Sequence, residues 1–380
     1  MNMRQTEATQ VSGLRWCTNC LSMSTRPRIK FDDRGWCNAC VWAERKKKLD
    51  WSVRMKDLER LLDKHRGKAG GFDCLVPVSG GKDGSYVTYN LKHKYGMNPL
   101  AVTVTPALPL DLGEQNLQAF IRAGYDHISI NPDCEAMKVL NKTGFVEMGF
   151  PYYGWLIAIQ TAVLHTALNF GIGLIFYGED GEVEYGGSVE TDKNPIYDVN
   201  YMKKIYLEGG YGKVLQESGL SEKQLYFFTF PDETDLARGK LEITHWSYFE
   251  NWDPYRNYLV AKEHCGLREA EGSNAGTFTN FAQNDQALYA LHTYLMYLKF
   301  GFGRANQDAS IEVRRGAMDR QQAVNLVRFY DGQFPDQFVE MYLEYYRMTA
   351  QEFEAVLDKW ANKELFRKAD GRWRPLFTVT

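Results

Sequence analysis

A short apolar run, Phe72 to Val78 (FDCLVPV), passes directly into Ser79-Gly80-Gly81-Lys82-Asp83-Gly84-Ser85, where a helix-like stretch begins. No other feature narrows the possible folds as far. A buried strand that turns through adjacent glycines into a helix belongs to an α/β sheet, whose strand carboxyl ends carry ligand sites. Two glycines let successive N–H groups face one point without Cβ clashes, and the helix start adds donors and a positive dipole end. Lys82 offers a point charge to phosphate, and Asp83 a carboxylate for Mg²⁺. The order G-x-x-x-x-G-K-[ST] of a Walker A loop is absent. A glycine turn without ligand is the alternative reading.

The flanking sequence repeats the strand–helix alternation. Gly84–Tyr95 reads as helix, Leu100–Thr105 as strand, Leu112–Ala123 as helix, and His127–Asn131 as strand. A long amphipathic stretch, Trp155–Phe170, then leads into the strand-like Gly173–Tyr177. This rhythm predicts an α/β fold, a parallel sheet with helices on both faces. Beyond residue 200 the chain turns aromatic and mainly helical, as at Asp285–Lys299, Arg320–Tyr330 and Ala350–Leu365. Four parts follow: a cysteine region (1–50), a helical linker ending in the glycine-rich turn Gly67–Gly71 (51–71), the α/β domain (72–200), and a mainly helical region (201–380).

The cysteines supply the second strong pattern. Cys17-x2-Cys20 and Cys37-x2-Cys40 are paired knuckles whose four thiolates suit one tetrahedral Zn²⁺. Sulfur ligation alone leaves a rubredoxin-like iron site open. With four protein ligands there is no open coordination position, so the metal is expected to be structural. Cys74, Cys134 and Cys265 stand alone and read as buried, inert thiols. The net charge of −3 gives no general field for nucleic acid or anionic membrane. The start MNMRQTEATQ has no apolar signal segment, and no run reaches the roughly 18 apolar residues of a membrane span. A cytoplasmic location is the expectation.

Further candidates lie downstream. Gly178-Glu179-Asp180-Gly181-Glu182-Val183-Glu184-Tyr185-Gly186-Gly187 follows a strand-like run. Its carboxylates, Glu179 and Asp180 foremost, suit Mg²⁺, an incoming amine or proton transfer. A solvated acidic turn is the plainer reading. Aromatic residues make up 14% of the chain, enough for rings such as Trp155 to stack on a sugar or base, although core packing also uses them. Arg304, Arg314 and Arg315 are candidate clamps for phosphate or carboxylate on a substrate. Thr105 and Gly178, at the ends of two strands, join Ser79–Ser85 as the candidate nucleotide-binding set.

The segment SGGKDGS resembles the SGGxDS loop of PP-loop ATP pyrophosphatases, with Gly84 where a serine is usual and Ser85 following. In order, the cysteine knuckles, SGGKDGS, YGEDGEVEYGG, HWSYFENWDPYRNY and LMYLKFGFGRANQDASIEVRRG look like the N-acetyl sugar amidotransferase family of lipopolysaccharide and O-antigen biosynthesis. The resemblance runs from about Cys17 to Tyr330. It implies an adenine nucleotide alpha hydrolase-like PP-loop domain that uses ATP with Mg²⁺ to turn an acetamido group of a nucleotide-activated sugar into an acetamidino group. Lys82, Asp83, Glu179 and Asp180 are the expected catalytic residues. The ammonia source is expected in a separate glutaminase, with a barrel protein similar to the histidine-biosynthesis pair. The chain starts Met-Asn-Met and shows no G-x-C-x-G elbow of its own. A tRNA-thiolating enzyme is the alternative, since such enzymes also combine zinc knuckles with a PP-loop; a nucleotide-sensing scaffold is a third reading.

Overall fold

The computed structural model describes residues 11–68 and 71–380. The first ten residues, and Ala69 and Gly70 of the expected turn, lie outside the described residues.

The cysteine knuckles lead into α1 (Asn38–Lys46), and Asp50 caps α2 (Trp51–His65), accepting from the Ser52 N–H. One mixed sheet then organises the molecule. Its strands are β1 (Cys74–Pro77), β2 (Pro99–Val104), β3 (His127–Ile130), β4 (Leu174–Tyr177), β5 (Ile196–Tyr197) and β6 (Glu242–His245), in the order β3-β2-β1-β4-β6-β5. Each pairing is parallel except that of β5 with β6. The parallel crossovers run through α3 (Lys82–Tyr89), α4 (Asp111–Arg122), and α5 (Cys134–Met148) with α6 (Tyr153–Asn169).

Strand parity explains the helices on both faces. Along β1, Leu75 enters the core with α5 and α6, while Cys74 and Val76 enter the core with α2 and α3. In β4, Ile175 goes with Leu75, and Leu174 and Phe176 with Val76. Alternation of side chains along a strand therefore buries both faces. Each fully buried aliphatic or aromatic side chain contributes about 1.5–3 kcal/mol.

The chain winds from β1 outward to β2 and β3, then returns to β4 on the other side of β1. That reversal creates a switch point between the carboxyl ends of β1 and β4, where open α/β sheets bind ligands. The sheet does not end near residue 200: β6 pairs with β4 over four residues, from Leu174↔Glu242 to Tyr177↔His245. Its sequence, EITH, is too short and too polar to stand out as a strand. The antiparallel edge strand β5 was likewise outside the expected all-parallel sheet.

Beyond the sheet, helices Pro254–Cys265, Leu288–Phe300, Arg304–Arg315, Arg320–Tyr330, Val339–Tyr346 and Ala350–Trp360 follow, with a terminal hairpin of Phe366–Ala369 and Arg372–Pro375. Asp319 with Gln322, and Thr349 with Glu352, close capping boxes at two of these helices. No helix among the described residues is long and apolar enough to cross a membrane.

Candidate active site

The loop after β1 owes its shape to its glycines. Gly80 holds φ +79°, and a Cβ there would lie 2.4 Å from the Leu117 backbone nitrogen of α4. Gly81 caps α3 with no side-chain partner, so first-turn N–H groups are left for a ligand. At Gly84 a Cβ would come within 2.8 Å of the Pro77 carbonyl oxygen, so glycine lets α3 lie against the strand it follows. This is the steric reason for a glycine where a PP-loop usually carries serine. Ser85 does not replace that serine in the cavity. It is fully buried, its Oγ unpartnered, with its carbonyl 3.9 Å from the Cys265 Sγ.

A cavity of about 650 Å³ opens over this loop, a size suited to a nucleotide together with part of a second substrate. Ser79 to Gly84 form its floor, and Thr105, Trp155, Tyr177 and Glu179 line it from the ends of β2, α6 and β4. Lys82 is only 8% exposed, and its ammonium pairs with the Asp83 carboxylate. Asp83 also accepts from Asn257 at 3.3 Å, a fully buried residue of the Pro254–Cys265 helix that lies along α3. The Trp155 indole donates to the Val104 carbonyl at 2.9 Å, which fixes its ring at the cavity wall.

Glu179 accepts from the Tyr185 hydroxyl and from the Trp252 indole, the latter at 3.2 Å. Burial holds its carboxyl above the usual range and Asp83 pushes the same way, against Lys82, Tyr185 and Arg304. Asp83 and Glu179 both line the cavity, and an ionised carboxylate such as that of Asp83, paired with the Lys82 ammonium, is a hard oxygen donor of the kind Mg²⁺ prefers.

The opposite wall is made by Asp285, Tyr289 and Arg304. Segment 285–287 is tied to 108–110, Leu110 donating to the Asp285 carbonyl at 3.1 Å and Ala287 to Leu108 at 2.9 Å. Burial raises the Asp285 carboxyl to about 6. Arg304 pairs with Asp308 at 2.8 Å, and the Gly303 and Asn306 N–H groups donate to Asp331 at 2.8 and 3.2 Å. Asp331 thereby caps the helix that presents Arg304. Sequence reasoning missed Asp285, Tyr289 and Asp331. Only the tertiary link between residues 108–110 and 285–287 brings Asp285 to the cavity, and no local pattern announces it.

Other expected site residues fall outside the cavity lining. Asp180 caps a short helix, α7 (Gly181–Tyr185), accepting from Glu182 and Val183 at 3.1 and 3.3 Å and from the Thr191 hydroxyl. Gly178 makes room: a Cβ there would meet the Asp83 Cβ at 3.0 Å and Trp252 at 3.3 Å. Arg314 points instead to the cysteines, 3.7 Å from the Cys20 Sγ and 3.4 Å from the Glu184 carbonyl. Arg315 pairs with Glu312 at 2.7 Å and Asp253 at 3.4 Å. Cys74 and Cys265 are buried, burial raising both thiols, Cys265 to about 11. Cys134 differs from expectation: as the first residue of α5 it is exposed.

The sulfurs of Cys17, Cys20, Cys37 and Cys40 all lie within 4.8 Å of one another, and all four residues are buried. Cys17 to Cys40 and Cys20 to Cys37 are each 3.7 Å. A tetrahedron of metal–sulfur bonds of about 2.3 Å has edges near 3.8 Å, so the four sulfurs fit a single ion. The Cys37 N–H donates to the Cys17 Sγ at 3.1 Å and Asn19 to the Cys40 Sγ at 3.3 Å, as thiolates require. The cluster also props the acidic segment. On α1, the Trp42 indole donates to Glu184 at 2.8 Å, Lys46 pairs with it at 2.7 Å, and Asn38 reaches the Gly187 carbonyl at 2.9 Å. Glu184 neighbours Tyr185, which holds Glu179.

The fold is a mostly parallel sheet covered on both faces, with an uncapped glycine loop after its central strand, the arrangement that the resemblance to PP-loop domains implies. Residues 275–379 match the family model described as "LPS biosynthesis protein WbpG-like, C-terminal domain". The resemblance to lipopolysaccharide biosynthesis proteins is thus borne out in the part of the chain that supplies Asp285, Tyr289 and Arg304. No curated protein matches the chain. Among solved structures, the chain is similar to the U34-tRNA thiolase NcsA from Methanococcus maripaludis with its 4Fe-4S cluster, at 12% identity over 70% of this chain and 79% of that one, TM-score 0.33. It is also similar to the predicted subunit of tRNA methyltransferase from Methanocaldococcus jannaschii, at 14% identity over 63% and 91%, TM-score 0.28. Scores this low carry no functional argument.

Proposed function

We propose that the chain is an ATP-dependent amidotransferase of lipopolysaccharide O-antigen biosynthesis, converting an acetamido group of a nucleotide-activated sugar into an acetamidino group. The observation that carries this reading is the composition of one cavity. Its floor is the PP-loop, and its far wall comes from the region that matches the lipopolysaccharide biosynthesis model.

An amide is a poor electrophile, and its oxygen needs conversion to a leaving group before ammonia can displace it. In this reading the amide oxygen attacks the α-phosphorus of ATP, giving an O-adenylated imidate and pyrophosphate. The N–H groups of the Gly80–Gly84 turn and the Lys82 ammonium stabilise the charge that develops on pyrophosphate. Ammonia then attacks the imidate carbon, AMP carries the oxygen away, and the amidine remains. Glu179, held proton-prone by burial, takes a proton from the incoming nitrogen. Asp285, Tyr289, Arg304 and Trp155 orient the sugar, with Arg304 suited to an anionic group.

Mg²⁺, bound with ATP, would be held by Asp83 and would screen the phosphate charge, leaving Glu179 free to take the proton. Zn²⁺ is the metal proposed for the four thiolates, closed to substrate and structural in role. Ammonia is proposed to come from a partner glutaminase working with a barrel protein similar to the histidine-biosynthesis pair, in the cytoplasm. A tRNA-thiolating enzyme would use a sulfur-handling cysteine at the loop, and among the described residues no cysteine lines the cavity.

The test is incubation with ATP, ammonium and a panel of nucleotide-activated N-acetyl sugars, read by mass spectrometry. Replacing O by NH lowers the sugar's mass by about one unit, with AMP and pyrophosphate formed in equal amounts. ADP and phosphate as products would remove the reading.

A further inference from the structure

A second cavity, of about 140 Å³, lies between the Arg26–Arg28 turn of the cysteine region, the α5–α6 junction at Gly149 and Phe150, and the Leu288–Phe300 helix. It holds roughly four or five waters' worth of space. Three cationic side chains, Arg26, Arg28 and Lys299, line it together with His292.

Two of these groups are incomplete. The Arg26 Nε–H is cut off from solvent and meets no acceptor among the described residues, and neither does the His292 Nδ1 find a partner. The neighbouring cations are already engaged. Arg28 holds Glu182 through two bonds of 2.8 and 2.7 Å, and Lys299 donates to the Met148 carbonyl at 2.9 Å. Phe302 offers Arg26 a ring face at 5.8 Å, which does not satisfy a planar fork of donors. Glu208 is the remaining carboxylate in the lining. Burial lowers Arg26 to about 10, Glu182 supports its charge and Arg314 opposes it, the pattern of a cation short of counter-charge. His292 is held neutral, near 3, by burial and by Lys299 and Arg304, so it brings a donor without a further charge. A donor N–H sealed from solvent without an acceptor is costly, and a partner that arrives with a ligand removes the cost.

We propose that this cavity is a second binding site, for a phosphate-type oxyanion, with Arg26 as its principal contact and His292 beside it. The inference does not depend on the amidotransferase reading. The oxyanion has two possible sources: the diphosphate of the acceptor sugar nucleotide, or a separate inorganic anion. The first is sterically reasonable. Tyr289 lines the reaction cavity and His292 the second one, three residues and about 4.5 Å further along the same helix.

The experiment is calorimetric titration of the full chain with inorganic phosphate while α,β-methylene-ATP fills the loop. The expected result is one phosphate per chain, with affinity at least tenfold weaker in Arg26→Met and largely recovered in Arg26→Lys. Arg26→Met is also expected to keep or raise the thermal midpoint, since it removes a sealed donor without a partner, whereas an arginine with a purely structural role would lower it. No phosphate binding by the wild type, or equal affinity in Arg26→Met, overturns the proposal. If Arg26→Met does not fold, the wild-type stoichiometry decides alone: one phosphate supports the site and none removes it. UDP-N-acetylglucosamine then separates the sources. Displacement of phosphate identifies the acceptor's diphosphate, and simultaneous binding identifies a separate anion; either result retains the site.

Discussion

The cysteine cluster and the glycine loop are the two motifs most visible in the chain, and they are built on opposite principles. The cluster is closed: four buried sulfurs face one another, and Asn19, Arg314 and backbone N–H groups complete their hydrogen bonding. The loop is open: Gly81 caps α3 without a side chain, and the donors face a cavity. A site with every donor spent on its own atoms supports structure, whereas one with donors unspent awaits a ligand. Glu184 links the two, since α1 grips it while the adjacent Tyr185 holds Glu179.

The largest effect that would sharpen this contrast is loss of the metal. Cys37→Ser, or a strong chelator, is expected to release the proposed ion and unfold the cysteine region, because a structural zinc site carries roughly 10 kcal/mol or more of binding energy. Loss of turnover should follow through α7 even though no cysteine touches substrate. Circular dichroism and metal analysis would check it, and a metal-free variant with native melting would break the comparison.

Next in size, Lys82→Ala should lower turnover by about 10²- to 10³-fold, the magnitude for removing one preorganised contact to developing charge. Metal content and thermal unfolding should not change, which distinguishes the open site from the closed one.

A smaller effect concerns the opposite wall. The Asp285 carboxyl moves from 3.8 to about 6 on folding because burial disfavours its charge. The folded chain therefore binds that proton more tightly than the unfolded chain, and stability falls as pH rises between about 4 and 6. Asp285→Asn should stabilise the protein by about 1–3 kcal/mol at pH 7, with the gain vanishing below pH 4. Urea unfolding at both pH values measures it, and turnover should fall as stability rises. The smallest effect is expected of Arg315→Ala. Its partly exposed pairs with Glu312 and Asp253 predict a change below about 1 kcal/mol and near-normal turnover.

The elements that could be read from sequence are those with a local cause. The apolar run ending at Val78, the glycines at 80 and 81 and the cysteine spacing each constrain the backbone where they stand, and the loop and cluster lie accordingly. The positions whose placement differs from expectation depend on partners elsewhere in the chain. Arg314 looked like a substrate clamp because nothing local shows that Cys20 lies 294 residues away in sequence and 3.7 Å away in space. Asp180 was an acidic residue in an acidic stretch, and only α7 makes it a cap. Strand β6 was hidden because four mixed residues gain their place solely by pairing with β4. Asp285 depends on the bridge to residues 108–110 in the same way.

The central claim is that the loop and the Asp285–Arg304 wall cooperate to activate an amide oxygen. An acceptor sugar nucleotide labelled with ¹⁸O in its acetamido group, incubated with ATP and ammonium, tests that claim at the atom concerned. The account predicts that the label appears in AMP, in step with amidine formation. Label retained on the sugar, or released in inorganic phosphate, would contradict it.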